Sequence, residues 1–346
     1  MKRKKTRFGA VVVAFALVLT ASTPNAAAAG KKEKKLVPMG CAVGIQMFTN
    51  GVLVVGLSAA ENGAAPSPAA TAGILPGDLI TKLGSDKIAS AADFRTAVTK
   101  LTGEPVQVTV LRQEAAKQFT LTPDMKSGAP ELGLWLRDNV AGVGTMTYYD
   151  PETGLYGGLG HSINDTESGV IIPLGKGDIF RATVVNVKKS SPGAPGELGG
   201  DFSAQSPCGN ILKNSRCGIF GVLKTGQPDA AKAIPVGDED EIKLGKATVL
   251  MNVSGNDTQT FEVEITRVYH GDDTDGRSLM LTVKDQKLID QAGGIVQGMS
   301  GSPIIQDGKL VGAVTHVLVN DPTKGFGVSV EKMLAESNDL TAENAA

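Results

Sequence analysis

A mainly β protein with two folded regions is what this sequence predicts, and three observations carry that reading. Aromatic residues are only 4 % of 346, glycine is abundant at 43, and one well-capped helix precedes a long tract of short strands. Such a composition favours turn-rich β structure over helical bundles, and the length suffices for two cores. A formal charge of −2 leaves no basic footprint, so nucleic acid is not an expected partner.

The chain begins with a basic stretch (Lys2, Arg3, Lys4, Lys5, Arg7), an apolar run, and small residues with Ala-x-Ala possibilities near Ala27 to Ala29. That is the layout of an export signal. Its run of about thirteen apolar residues is short of the roughly 20 that cross a bilayer. Residues 1–29 are therefore expected to be a signal peptide, with an uncleaved signal anchor as the alternative. Residues 30–36 form a lysine-rich linker, and the mature chain is expected to work outside the cytosol. In that setting Cys208 and Cys217, bracketing "CGNILKNSRC", are disulfide candidates. Cys41 reads as a buried small residue, and no Cys/His spacing suits zinc.

Residues 37–124 read as a compact module. "GIQMFTNGVLVVGLS" predicts two strands joined at Asn50-Gly51, a hairpin signal. "ILPGDLITKLGSDKI" gives two strand-like runs with turns at Pro76-Gly77 and Gly84-Ser85. "SAADFRTAVTKLTG" predicts a helix with Ser90 as N-cap and Asp93 in its first turn. Phe94, Ala97, Val98 and Leu101 form its apolar face before Gly103 stops it. "PVQVTVLRQ" and "KQFTLTPD" alternate as strands.

This succession, with "AGILPGDLI" ahead of the helix, resembles a PDZ domain. The resemblance implies that a glycine loop offers its backbone N–H groups to a peptide, which adds as a strand beside the helix. The matching positions here are Gly40, Cys41, Ala42, Val43, Gly44 and Ile45. Carboxyl-terminal, internal and intramolecular peptides are all open as occupants.

Residues 125–346 are strands and glycine turns until "SVEKMLAES", the one further helix expected. Short strands over about 215 residues suit a sandwich or a pair of barrels. "KSSPGAPGELGGDFSAQSPCG" reads as a surface excursion.

Within this region "GMSGSPIIQDGKLVGAVTHV" sets Ser300 among Gly298, Gly301 and Ser302, directly before a hairpin turned at Asp307-Gly308. An α/β-hydrolase elbow needs a helix after its serine, so that fold is excluded. A serine on a glycine-bent loop leading into an antiparallel hairpin resembles the chymotrypsin-type arrangement. That geometry implies two backbone donors, the N–H groups of Gly298 and Ser300, aimed at one developing oxyanion.

A serine hydroxyl needs a base. His161, in "YGGLGHSIND", lies in glycine-rich backbone at a strand end and is the candidate. His316 sits mid-strand beside Thr315 and reads as structural, and His270 as a solvated turn residue. For the carboxylate that would orient the imidazole, Asp285 falls on the same face as Leu279, Leu281 and Val283 by the period-2 rule. Asp290 and Asp165 compete. Asp165 is close enough to His161 in sequence to cap a local turn instead.

With the PDZ-like module, "RDNVAGVGTMTYYDPETG", "GLGHSIND" and "GGIVQGMSGSPIIQDGKLVGAVTHVLVNDPTKGFGV" the chain resembles the stage IV sporulation protein B family of signalling serine peptidases. The resemblance implies a PDZ domain followed by a chymotrypsin-like double β-barrel. It carries His161 and Ser300 over as base and nucleophile, and Asp285 by its place ahead of the serine. It also implies export into the space between the two membranes of the forespore and cleavage of the enzyme's own N-terminal region. Cleavage of a membrane-embedded regulator of a sigma-factor-processing protease would follow. No metal or cofactor is implied. A non-catalytic PDZ adaptor and a general extracytoplasmic quality-control protease are the alternatives.

Overall fold

The computed structural model describes residues 33–58, 66–269, 271 and 276–341. The expected export signal, the start of the linker and His270 lie outside the described residues. Among the described residues no helix is long and apolar enough to cross a membrane.

Two strands come first, β1 (Lys35–Pro38) and the long β2 (Ala42–Leu57). A small unit follows: α1 (Pro68–Ala72), β3 (Leu79–Leu83), β4 (Asp86–Lys87), α2 (Ala91–Val98), β5 (Val106–Arg112) and β6 (Ala115–Leu121). A hairpin of β7 (Asp124–Lys126) and β8 (Ala129–Glu131) leads into a second long strand, β9 (Leu134–Tyr149). Next are β10 (Leu155–Gly158), β11 (Lys176–Arg181), β12 (Thr183–Lys188), β13 (Glu197–Asp201), β14 (Pro207–Ser215), β15 (Gly218–Leu223) and β16 (Ile234–Pro235). The remainder is β17 (Gly245–Asn252), β18 (Thr258–Val268), β19 (Leu279–Val283), α3 (Gln286–Ala292), β20 (Pro303–Gln306), β21 (Lys309–Leu318), β22 (Asp321–Ser329) and α4 (Val330–Ser337).

These strands close two barrels, as the mainly β reading expects. The first runs β2-β9-β10-β15-β14-β11 and closes because β11 pairs back onto β2. The second runs β17-β18-β19-β22-β21-β20. Closure leaves no strand edge within either ring, and alternation turns every second side chain inward. Val249, Ile265, Leu279, Leu281 and Ile304 fill the second barrel with no exposed surface. Each such side chain contributes about 1.5–3 kcal/mol.

The small unit has its own core of Ile74, Ile80, Val108, Val110 and Leu121. Its helix α2 starts as expected: Ser90 Oγ accepts from Asp93 N at 3.2 Å, while Phe94 and Ala97 face inward. Asp78, 1 % exposed, accepts both the Nε and an Nη of Arg112 at 2.6 and 2.7 Å, and Leu75 N at 2.9 Å.

Several expectations are corrected. Asn50-Gly51 makes no hairpin; β2 runs through it, and the register against β9 shifts between Phe48 and Leu53. The turn residues sit in an irregularity of one continuous strand, because β9 pairs with β2 on both sides of them. Gly40 to Ile45 do not form an open peptide-binding edge. Gly40 N donates to Met146 O, Ala42 O accepts from Ala182 N, and Val43 to Ile45 pair with β9 on one side and β11 on the other. Those groups are spent on closing the first barrel. The strand that augments β2 is the chain's own β9, and Asp138 on it accepts from Ala91 N at the start of α2, 2.7 Å away. The small unit and the first barrel share one sheet, to which β1 and both halves of β2 belong.

Cys208 and Cys217 are free thiols. They sit near opposite ends of the hairpin formed by β14 and β15. An extended strand of that length separates them by more than about 20 Å, far beyond what a disulfide spans. Cys208 is buried in the first barrel's core instead. The excursion before it is partly ordered as β13, which pairs with β12. The helices α1 and α3 have no counterpart in the sequence reading.

Candidate active site

Two glycine-bent loops, one from each barrel, meet at a single strand residue. After β10 the chain turns through Leu159 and Gly160, both at positive φ (66° and 70°), to present His161. A Cβ on Gly160 would lie 2.9 Å from Thr315 Cγ2 and 3.1 Å from Val328 Cγ1 of the second barrel, so only glycine lets this loop seat there. On the other side, Gly298 (φ 94°) and Gly301 (φ 98°) flank Ser300. A Cβ on Gly301 would fall 2.0 Å from Thr145 O.

Thr145, buried in β9, ties the loops together. Its N–H donates to Ser300 O (3.1 Å), its Oγ1 donates to Gly298 O (2.8 Å), and its carbonyl accepts from Leu159 N (3.1 Å). Sequence reasoning missed this residue, because a lone threonine inside a strand gives no signal of a partner 153 positions away. Asn214 was missed likewise. Its side chain accepts from Ile163 N and donates to Ile163 O and Ile172 O, pinning the segment after His161.

His161 and Ser300 line one cleft of about 730 Å³, with Thr315, His316, Leu198 and Val296 among its walls. The two are not hydrogen-bonded to each other. Ser300 Oγ donates to Thr315 O at 2.6 Å, and His161 Nδ1 lies 2.7 Å from Ser162 O. A carbonyl can only accept, so Nδ1 carries the proton and Nε2 keeps its lone pair, the tautomer a general base requires. Burial holds the His161 pKa below the usual histidine value, with the Ser162 carbonyl opposing in part. The His316 ring lies 5.0 Å from that of His161, centroid to centroid.

Neither the Gly298 N–H nor the Ser300 N–H donates to a protein acceptor among the described residues.

Asp285 is not brought to His161. It is the N-cap of α3, accepting from Lys287 N at 2.9 Å and Glu262 N at 3.3 Å. β19 ends at Val283 and the chain turns into a helix, so period-2 alternation no longer governs where Asp285 points. Asp290 accepts from Gln286 Nε2 on the outer face of α3. Asp165 caps a turn by accepting from Glu167 N and Ser168 N, and pairs with Arg137 at 2.8 Å. Those serine hydrogen bonds and the Arg137 charge hold its carboxyl below the ordinary range despite burial. Among the described residues lining the cleft, Glu197 is the only acid. The orienting contact that sequence assigned to Asp285 is made by the Ser162 carbonyl.

A model of the family described as SpoIVB peptidase S55 matches residues 128–334, and a PDZ model matches residues 43–122. Among solved structures, the active form of the Rv3671c protease from M. tuberculosis is 16 % identical. It covers 57 % of this chain and 74 % of its own, with a TM-score of 0.33. The HtrA-type protease AlgW with a decapeptide is 11 % identical, with coverages of 58 and 52 % and a TM-score of 0.33. Deg5 is also 11 % identical, with coverages of 56 and 81 % and a TM-score of 0.33. No curated protein matches the chain.

Proposed function

Because this chain belongs to the SpoIVB peptidase S55 family and is a PDZ-containing serine endopeptidase, we propose that Ser300 is its nucleophile and His161 its base. The observation that carries the assignment is the shared cleft, in which His161 holds its proton on Nδ1 toward Ser162 O and so keeps an unprotonated Nε2. Ser300 Oγ leaves the Thr315 carbonyl by rotation about χ1, passes its proton to Nε2 and attacks the peptide carbonyl. The Gly298 and Ser300 N–H groups hold the oxyanion, a contribution of about 3–4 kcal/mol per donor in related chemistry. The imidazolium then gives its proton to the leaving amine, and water repeats the cycle on the acyl-enzyme.

The substrate and setting follow the family. The enzyme is exported to the intermembrane space of the forespore, cleaves its own N-terminal region, and then cuts a membrane-embedded regulator that restrains sigma-factor processing. Family membership supports this setting, and so does the basic, apolar, small-residue start of the sequence. A phosphonofluoridate label tests the chemistry: covalent modification at Ser300, absent in Ser300→Ala and reduced by orders of magnitude in His161→Ala, is expected. Mass spectrometry of the purified chain tests self-cleavage. New N-termini should appear in the parent and not in Ser300→Ala. An unmodified Ser300 in folded, exported protein would overturn the assignment.

A further inference from the structure

A single carboxylate stands in the cleft that holds His161 and Ser300. Leu198, Val296, Val317 and Val319 give that cleft apolar walls, and no lysine or arginine lines it among the described residues. Its two histidines aside, Glu197 is the only ionisable side chain there.

The fold sets Glu197 beside the loop that carries the proposed oxyanion donors. β13 begins at Glu197, whose backbone is bridged in parallel to Gln297, three residues before Ser300. Leu198 N donates to Gln297 O at 2.8 Å, and Gln297 N donates to Gly196 O at 2.9 Å. Strand alternation turns Leu198 inward, so close that a Cβ on Gly298 would lie 3.0 Å from Leu198 Cβ. The same alternation leaves Glu197 exposed on the rim. Any peptide that presents a carbonyl to Ser300 must lie along this loop, and residue 197 is the loop's neighbour on the adjoining strand.

The Glu197 side chain has no hydrogen bond or ion pair among the described residues. Lys188 is its register partner on β12, yet Lys188 does not line the cleft and does not pair with it. In an empty cleft water screens this charge. A bound peptide displaces that water from the apolar walls, so an opposite charge brought next to Glu197 interacts at a lower effective dielectric.

From this we infer that Glu197 is a specificity-determining residue, selecting substrates with a Lys or Arg side chain close to the cut bond. The inference rests on the peptidase reading above and deepens it. An ammonium or guanidinium group donates to the carboxylate in a charge-assisted hydrogen bond, while an acidic side chain at the same place is repelled.

Matched peptides decide the question, using the full chain. Short acetylated and amidated peptides in an alanine–valine background carry one Lys, one norleucine or one Glu at the same position, moved along the peptide, and mass spectrometry reads the bond cut. At the position facing residue 197 the Lys peptide is expected to be cleaved with kcat/KM roughly five- to tenfold above its norleucine partner, between an exposed ion pair and a charged hydrogen bond. The Glu peptide should fall below both. The Lys-to-norleucine ratio should shrink in high salt, approach one in Glu197→Gln, and invert in favour of the Glu peptide in Glu197→Lys. If no peptide is cut although Ser300 takes the phosphonofluoridate label, calorimetric binding of the same set to Ser300→Ala carries the comparison. Equal treatment of Lys and norleucine at every position, or a Lys preference that survives both Glu197 substitutions, overturns the inference while Ser300 labelling leaves the peptidase intact. Absence of cleavage and of labelling overturns both.

Discussion

The Ser300 hydroxyl donates to the main-chain carbonyl of Thr315, 2.6 Å away, and not to the imidazole of His161. The nucleophile is thus parked on a backbone acceptor one strand over, within a single χ1 rotation of other positions. Since one hydrogen bond of this kind is worth about 1 kcal/mol net, Ser300→Ala should shift unfolding free energy by no more than about that amount. Denaturant titration of the variant, run beside the labelling assay, separates loss of chemistry from loss of fold.

Burial keeps His161 neutral to lower pH than an ordinary histidine. The neutral form is the base, so the acid limb of kcat/KM should fall below the usual value near 6.5. The stability sign agrees. With the folded pKa lowered, the unfolded chain binds more protons, so stability is complete above pH 6.5 and declines as pH falls toward the folded value. A pH–rate profile and an imidazole NMR titration should give the same displaced midpoint. A midpoint above 6.5 would contradict the burial argument.

Thr145→Val keeps the shape of the side chain and removes the Oγ1 donor to Gly298 O. An acceptor left unpaired in a buried site costs about 1–3 kcal/mol. Because that acceptor belongs to the oxyanion loop, kcat should drop roughly tenfold or more with KM little changed, as for a transition-state contact. Thr145→Ser, which retains the donor, should recover most of the rate.

Asp285→Asn and Asp285→Ala discriminate between capping and catalysis. As N-cap of α3, Asp285 should be worth about 1 kcal/mol against alanine and little against asparagine. Its loss should leave kcat/KM within a few-fold. A fall near 10⁴-fold in Asp285→Asn, the size seen when a triad carboxylate is neutralised, would restore it to the machinery.

The three cysteines should titrate as three free thiols after denaturation without reductant. Burial raises the pKa of Cys41 to about 11 and displaces Cys208 and Cys217 upward, so alkylation of the native protein should be slow. An intact-mass loss of two hydrogens attributable to Cys208 and Cys217 would disprove the hairpin register.

Much of this was legible in the residues. Glycines around Ser300 and before His161 announced backbone that side chains would block, and the Asp307-Gly308 hairpin fixed which fold the serine sits in. Ser90 and Asp93 announced α2. What stayed hidden was set by partners far away in sequence. Asn50-Gly51 has the chemistry of a turn, yet a continuous neighbour in β9 overrode it. Asp285 obeyed strand parity on paper, but β19 stops two residues earlier and the side chain serves a helix instead. Thr145 and Asn214 hold the two loops through bonds that no local pattern encodes.

Because β2 and β9 each run from the small unit into the first barrel, the PDZ-like unit cannot be lifted out like a bead from a string. Cutting it away would remove the floor of one barrel and unseat Thr145 from beneath the serine loop. A chimaera that swaps this unit must keep both long strands whole.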